Sequence, residues 1–111
     1  MNRQYVSSGF VNYYSKYRMK WEEFYESEKY MFEKVFGRFN DPFSVLDAGC
    51  GCGGLGLALS EKFKLNFYKG LDINKAEIDW ALNNNKLNIP HEYACEDVAK
   101  YSSERKYDDV I

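Results

Sequence analysis

The sequence predicts an α/β fold in which a parallel sheet is flanked by helices, and three observations predict it. After Asp41-Pro42, short apolar runs alternate with amphipathic stretches, the rhythm of strand, helix, strand. A glycine-rich turn, Gly49 to Gly54, joins the first of those runs to the first amphipathic stretch. The 111 residues, 45% of them hydrophobic, amount to one domain's worth of chain with a core of modest size.

The elements follow in order. Aromatic residues crowd the part before Phe43, which sets a composition boundary and divides the chain into a helical lead-in, 1–40, and a sheet-forming unit, 41–111. Within the lead-in, Tyr17, Trp21 and Phe24, then Met31, Phe32, Val35 and Phe36, recur at helical spacing and predict one or two helices. The second is expected over 28–36, with Ser27 as its cap, Glu28 in its first turn, Lys34 in its last and Gly37 in a left-handed conformation just beyond. Phe43 to Ala48 reads as a strand, Leu55 to Phe63 as a helix and Leu65 to Leu71 as a second strand. Asn74, with Glu77 three residues on, starts a helix in the manner of a capping box, and Ile78, Ala81 and Leu82 are expected to face the sheet. Asn83-Asn84-Asn85 weakens the end of that helix. His91 to Cys95 gives a third strand and Tyr107 to Ile111 a fourth, separated by a polar stretch long enough for a turn or two of helix.

Composition excludes several classes of function. Fifteen basic and seventeen acidic residues are interspersed, so nothing in the charge pattern suggests a nucleic-acid partner. No run approaches the roughly 20 apolar residues of a membrane span, and the first residues lack the apolar core of a secretory signal, so no membrane partner is expected and the expected location is cytoplasmic. Three cysteines, two of them in Cys50-Gly51-Cys52, form neither a disulfide framework nor the spacing of a zinc site; they read as reduced thiols, and no metal is expected. His91 has no partner nearby in sequence and reads as the start of a strand.

The chemistry concentrates in Val45-Leu46-Asp47-Ala48-Gly49-Cys50-Gly51-Cys52-Gly53-Gly54, a strand running into a turn that opens a helix. Glycines there let the backbone turn sharply and let a ligand touch the main chain. Read as Gly49-x-Gly51-x-x-Gly54, with Asp72 downstream to hold a ribose, the loop fits a dinucleotide such as NAD. Read as Asp47-x-Gly49-x-Gly51-x-Gly53, it resembles the first motif of the class I S-adenosylmethionine (SAM) dependent methyltransferases. Asp47 weighs for the second reading. A carboxylate beside the loop would repel a pyrophosphate by about a few kcal/mol in a shielded cleft, whereas SAM has an ammonium and a sulfonium and no phosphate.

Three further segments are similar to that family in order and spacing. Gly70-Leu71-Asp72-Ile73-Asn74 places an acid at the end of the second strand, Ala94-Cys95-Glu96-Asp97-Val98 lies just past the third, and Lys106-Tyr107-Asp108-Asp109-Val110-Ile111 resembles the opening of the fourth. The resemblance spans 43–111 and implies a three-layer Rossmann-like sandwich with SAM as cofactor and S-adenosylhomocysteine (SAH) as product. It implies that Asp47, Gly49, Cys50, Gly51 and Gly53 cradle the methionine end and that Asp72 clamps the ribose. Ile73 would lie on the adenine, or serve only as core, and Asp97, or its neighbour Glu96, would accept from the adenine amine while the Val98 amide donates to the ring. In many small-molecule members the lead-in folds over cofactor and substrate, so the two lead-in helices are expected over the carboxyl ends of the strands. Tyr14 and Arg18 are then candidates to touch the methionine end, against the plainer readings of core aromatic and solvated base.

Family members continue past the fourth strand into the region that lines the acceptor site, whereas this chain stops at Ile111. The resemblance therefore implies a truncated, cofactor-binding part of a methyltransferase, itself inactive, with an unidentified, small-molecule acceptor and no nameable catalytic residue. A nucleotide-cofactor oxidoreductase fragment and a SAM-binding module without catalysis are the alternatives. An unpaired fourth strand is an exposed edge, through which a homodimer is expected.

Overall fold

Four parallel strands in the order β3-β2-β1-β4 frame the protein in a computed structural model that describes residues 19–102 and 105–111. The strands are β1 (Phe43–Ala48), β2 (Leu65–Asp72), β3 (His91–Cys95) and β4 (Asp109–Val110). The helices are α1 (Glu26–Phe36), α2 (Gly54–Lys62) and α3 (Lys75–Asn84), with single 3-10 turns at Trp21–Glu23 and Val98–Lys100. Every strand of such a sheet needs both faces covered, which is why β1 and β2 are buried or half-buried at every residue but Asn66 and do not alternate.

Side chains of β2 show how the two faces are filled. Tyr68 and Gly70 point toward α2 and the loop that precedes it, where Gly56 and Cys50 meet them. On the other face Phe67 packs on the Tyr107 ring and under the Arg105 guanidinium, and the Lys69 amine lies over the Tyr101 ring. The described part of the connector between β3 and β4, with its 3-10 turn at Val98–Lys100, therefore lies over that face. Register sets Ala48 beside Leu71 and Leu71 beside Ala94, so the loops after β1, β2 and β3 leave the sheet along one edge.

α1 packs at the opposite edge. Phe36 is buried, its ring stacked on Phe43 at the start of β1 and tilted against Phe63 at the end of α2. Trp21 meets Phe63 edge-on at 5.7 Å and Phe32 at 6.3 Å. The described lead-in thus runs from Met19, packed on Cys52 near the carboxyl ends, to Phe36 at the amino ends, and α1 does not sit over the carboxyl ends as expected. The reason is the aromatic cluster, which buries more apolar surface against Phe43 and Phe63 than a polar loop edge offers. Trp21, expected on a helical stripe with Tyr17 and Phe24, sits in a 3-10 turn, and Tyr17 lies outside the described residues.

Three local expectations are also corrected. α1 begins at Glu26 because Glu28 Oε1 accepts the Tyr25 amide at 2.8 Å, so the cap is supplied from inside the helix and Ser27 is a helical residue. Gly37 is right-handed, φ −68°; a Cβ there would come within 2.4 Å of the Glu33 carbonyl, so glycine answers a close approach. Leu82 is 52% exposed, leaving Ile78 and Ala81 as the buried face of α3. β4 pairs over two residues, and the ladder is extended by the Ile111 amide to Leu46 O and the Ala48 amide to Ile111 O.

Candidate functional site

β1 lies between β2 and β4, so the chain leaves it in one direction for β2 and β3 and reaches β4 on its other side. A crevice opens at the carboxyl end of such a strand, because the loops on its two sides diverge. The glycine loop occupies that place. The Gly49 and Cys50 amides both donate to Leu71 O, at 2.7 and 2.8 Å, and the Gly53 amide donates to Cys50 O at 3.0 Å. Gly49, Gly51 and Gly53 have φ of +79°, +58° and +83°, which alternates left-handed residues along the loop and turns the backbone over the end of β1. Gly49 is exposed, and a Cβ on it would meet nothing within 4 Å, so open space adjoins the main chain there.

The Asp72 carboxylate and the buried Asn85 amide hold the loop, and the Asp47 carboxyl lies at its root. Asp72, at the end of β2, accepts the Gly51 amide on Oδ2 at 2.8 Å and the Asn74 amide on Oδ1 at 2.8 Å. Each of its oxygens keeps a lone pair, so both remain able to accept from a diol. Asp47 is 4% exposed, and its Oδ2 accepts the Tyr68 hydroxyl at 2.6 Å. Burial pushes the Asp47 carboxyl up to about 6, the Tyr68 hydroxyl opposes the rise and the Asp72 charge adds to it. Asn85 Nδ2 donates to Cys52 O at 2.9 Å, and Asn85 O accepts the Tyr93 hydroxyl at 2.9 Å, which ties the end of α3 and β3 to the loop.

Glu77 behaves only half as the capping-box spacing predicts. Its amide donates to Asn74 Oδ1 at 3.2 Å, which starts α3 as expected. Its buried side chain, however, turns to the loop, where the Cys52 thiol lies 3.7 Å from Oε1. Burial raises the Glu77 carboxyl, the Asp72 charge adds to this and the thiol opposes it. Among the described residues, no basic side chain is ion-paired to Asp47, Asp72 or Glu77. This end of the sheet is acidic and carries a glycine loop with open space beside Gly49, a setting that disfavours a polyphosphate and favours a cation.

The remaining predicted residues are placed as follows. Cys50 is buried with its thiol toward Gly51 O and Gly70, on the core side of the loop. Its thiol is pushed far above the usual range by burial and by the surrounding carboxylates, and Cys52 up to about 12 by burial and Glu77. Ile73 is half-buried just past Asp72, with the exposed Cys95 thiol 3.6 Å from its carbonyl. Asp97 caps the 3-10 turn, its Oδ1 accepting the Ala99 amide at 2.9 Å, and Val98 is exposed beside it. The Glu96 amide donates to Asp72 O at 3.0 Å, which brings this loop against the one that carries Asp72. Tyr14 and Arg18 lie outside the described residues.

Sequence reading missed Tyr68, the Glu77 side chain, Asn85 and Tyr93, whose partners are 21, 25, 33 and 8 residues away. One signal pointed to Tyr68: a phenol in the middle of an apolar strand needs a hydrogen-bond partner. Among the described residues no helix is long and apolar enough to cross a membrane, and no three His, Cys, Asp or Glu side chains are disposed to hold a metal ion.

Comparison with known proteins agrees with this geometry. Residues 31–111 match the model of the methyltransferase small domain family. The chain is 33% identical over 76 residues to the protein named Probable (S)-tetrahydroprotoberberine N-methyltransferase 2 of Papaver bracteatum, a match covering 67% of this chain and 21% of that protein. Among solved structures it is similar to the plantazolicin methyltransferase BpumL with a pentazolic desmethylPZN analog and SAH, at 29% identity, TM-score 0.61, 96% of this chain and 39% of that one. A SAM-dependent methyltransferase of Thiobacillus denitrificans in complex with SAH shares the fold, at 18% identity, TM-score 0.67, 94% of this chain and 42% of that one. The chain thus spans about a fifth of the length of the curated relative and about two fifths of these structures. With the family model covering 31–111, the parallel α/β sheet and the glycine loop at its switch point, the chain belongs to the methyltransferase small domain family.

Proposed function

We propose that residues 41–111 bind SAM in the crevice at the carboxyl ends of β1 and β2, and that the protein transfers its methyl group to a small-molecule acceptor. One observation carries the reading: the left-handed glycines 49, 51 and 53 turn the loop over the end of β1 with open space against the Gly49 main chain, beside the carboxylates of Asp47 and Asp72, neither of them ion-paired to a basic side chain among the described residues. That combination fits a ligand that is cationic at one end and has a diol at the other. When bound, SAM supplies a methyl made electrophilic by its sulfonium. The chain's own contribution is to bind and orient it.

In this reading Asp72 accepts from the ribose hydroxyls with the lone pairs left by Gly51 and Asn74, and the loop carbonyls with Asp47 face the methionine ammonium. Gly49, Cys50, Gly51 and Gly53 contribute main chain, Ile73 covers one face of the adenine, and Asp97 with the Val98 amide reads its edge. Tyr14 and Arg18 are proposed at the methionine end from sequence alone. The names of the similar proteins, a probable (S)-tetrahydroprotoberberine N-methyltransferase and a plantazolicin methyltransferase, support a small-molecule acceptor. No residue is assigned as a base. A cytoplasmic location and pairing of two copies along the exposed edge of β4, where Val110 is 59% exposed, complete the proposal.

Calorimetric titration with SAM, SAH and NAD tests it. SAM and SAH are expected to bind, NAD is not, and Asp72→Ala is expected to weaken both adenosyl ligands by about tenfold or more. Binding of NAD alone would overturn the reading.

A further inference from the structure

We propose that Tyr68 is a positioning residue of the cofactor site: its phenol holds the Asp47 carboxylate beneath the glycine loop, oriented and ready to ionise as the counter-charge for a ligand ammonium. The inference rests on reading the loop as a SAM site and goes beyond it by assigning a residue that lies on a different strand and touches no ligand.

The geometry is unusual in what surrounds the ring. Tyr68 is 0% exposed in the middle of β2, and its hydroxyl reaches Asp47 Oδ2 at 2.6 Å on the neighbouring strand. To get there the ring runs directly under α2. A Cβ on Gly56, in the first turn of that helix, would lie 2.4 Å from Tyr68 Cζ, and one on Gly70 would lie 3.1 Å from the hydroxyl. A helix-interior glycine is unfavourable by about 1 kcal/mol against alanine, so the sequence accepts a weaker α2 to make room for a phenol. An aliphatic residue at 68 would fill the core without needing that space. Tyr93 meets the ring edge-on from β3 at 6.0 Å and fixes its other side.

A buried hydroxyl and a buried carboxylate satisfy each other, and that alone would be a structural account. The location adds function. Asp47 is two residues before Gly49, and among the described residues only Tyr68 donates to its carboxylate, through Oδ2, which leaves Oδ1 without a donor at the root of the loop. The titratable groups around it are Tyr68 and Asp72 of β2, Cys50 of the loop, Glu77 of α3 and Tyr93 of β3, none of them a cation. The hydroxyl is therefore the main influence that favours the ionised carboxylate, against burial and against Asp72.

Tyr68→Phe tests this, since the ring stays under Gly56 and only the hydroxyl is lost. In the cofactor-free chain, the carbon-13 resonance of the Asp47 carboxyl should titrate at higher pH in the variant than in the parent. Calorimetry between about pH 6 and about pH 9 should show SAM binding about tenfold weaker in the variant near neutrality, with the deficit closing as pH rises. In an Asp47→Asn background, Tyr68→Phe should add no further loss. An unmoved carboxyl titration, or a loss of affinity that is the same at every pH, would reduce Tyr68 to a packing residue. A parent chain that binds neither SAM nor SAH would instead overturn the reading of the loop, while the carboxyl titration would still decide whether Tyr68 controls Asp47.

Discussion

Replacing Asp47 by asparagine should change how stability depends on pH, by an amount that the structure sets. The Asp47 carboxyl is raised from the ordinary 3.8 to about 6, with burial the largest cause. A folded state that holds a proton more tightly than the unfolded chain loses stability as pH rises between the two values. Below about 4 both states are protonated and nothing is lost; above about 6 the folded state carries the full cost of a buried carboxylate. At about 1.4 kcal/mol per pH unit, that cost is about 3 kcal/mol. It is a large share of the roughly 5–15 kcal/mol that typically holds a domain of this kind together. The asparagine side chain would keep an acceptor for the Tyr68 hydroxyl and have no proton to lose. Urea denaturation of parent and Asp47→Asn from about pH 4 to about pH 8 should therefore show the parent falling by about 3 kcal/mol relative to the variant. A difference that stays flat across this range, or moves the other way, would refute the idea that Asp47 is ionised only against its surroundings. In the proposed site, a ligand ammonium beside the carboxylate would offset part of that cost.

Other perturbations probe the same architecture. Gly56→Ala should destabilise by about 2 kcal/mol in spite of the better helix propensity of alanine, because its Cβ would meet the Tyr68 ring; in a Tyr68→Val background the same change should become neutral or stabilising, as read by urea denaturation. Phe36→Ala should lose about 3–5 kcal/mol, since it removes the ring that joins α1 to Phe43 and Phe63. A thiol-reactive dye should label Cys95 rapidly in the native chain and reach Cys50 and Cys52 only on unfolding, because the last two are buried and their thiols are held protonated; rapid labelling that survives Cys95→Ser would contradict this.

The first three strands were legible because each is a short, mainly apolar run bounded by turn residues, whereas β4 pairs over only Asp109–Val110 of the predicted Tyr107 to Ile111. β1 and β3 fall on the residues the sequence predicts, and β2 extends one residue further, to Asp72. Asn74 announced α3 for a local reason, the bond from its side chain to the Glu77 amide. The lead-in was less legible. Its aromatic spacing suits a helix, yet around Trp21 tertiary contacts with Phe63 and Phe32 are made from a 3-10 turn, and the end of the sheet that α1 covers is decided by Phe43 and Phe63, which lie far along the chain. Ser27 looked like a cap because serine is a good one, but Glu28 supplies the bond to the Tyr25 amide.

The site divides along the same line. Gly49, Gly51, Gly53, Asp47 and Asp72 sit in short motifs, and the structure gathers them at one edge because parallel strands in register end together. What holds them there could not be read from the motifs. Asp47 sits at the root of the loop, bonded to a residue 21 positions away on the neighbouring strand, a partner that no local motif announces. Glu77 and Asn85 were read as helix-boundary residues, and both turn inward to grip the Cys52 segment of the loop. A glycine loop free to bend has no conformation of its own to hold, so its shape must come from side chains on β2, β3 and α3. Such partners are chosen by the packing of the whole sheet, and they leave only an indirect trace in the sequence. Gly56 is that trace here: a glycine inside a helix, without a turn to explain it, marks the place where another side chain has to pass.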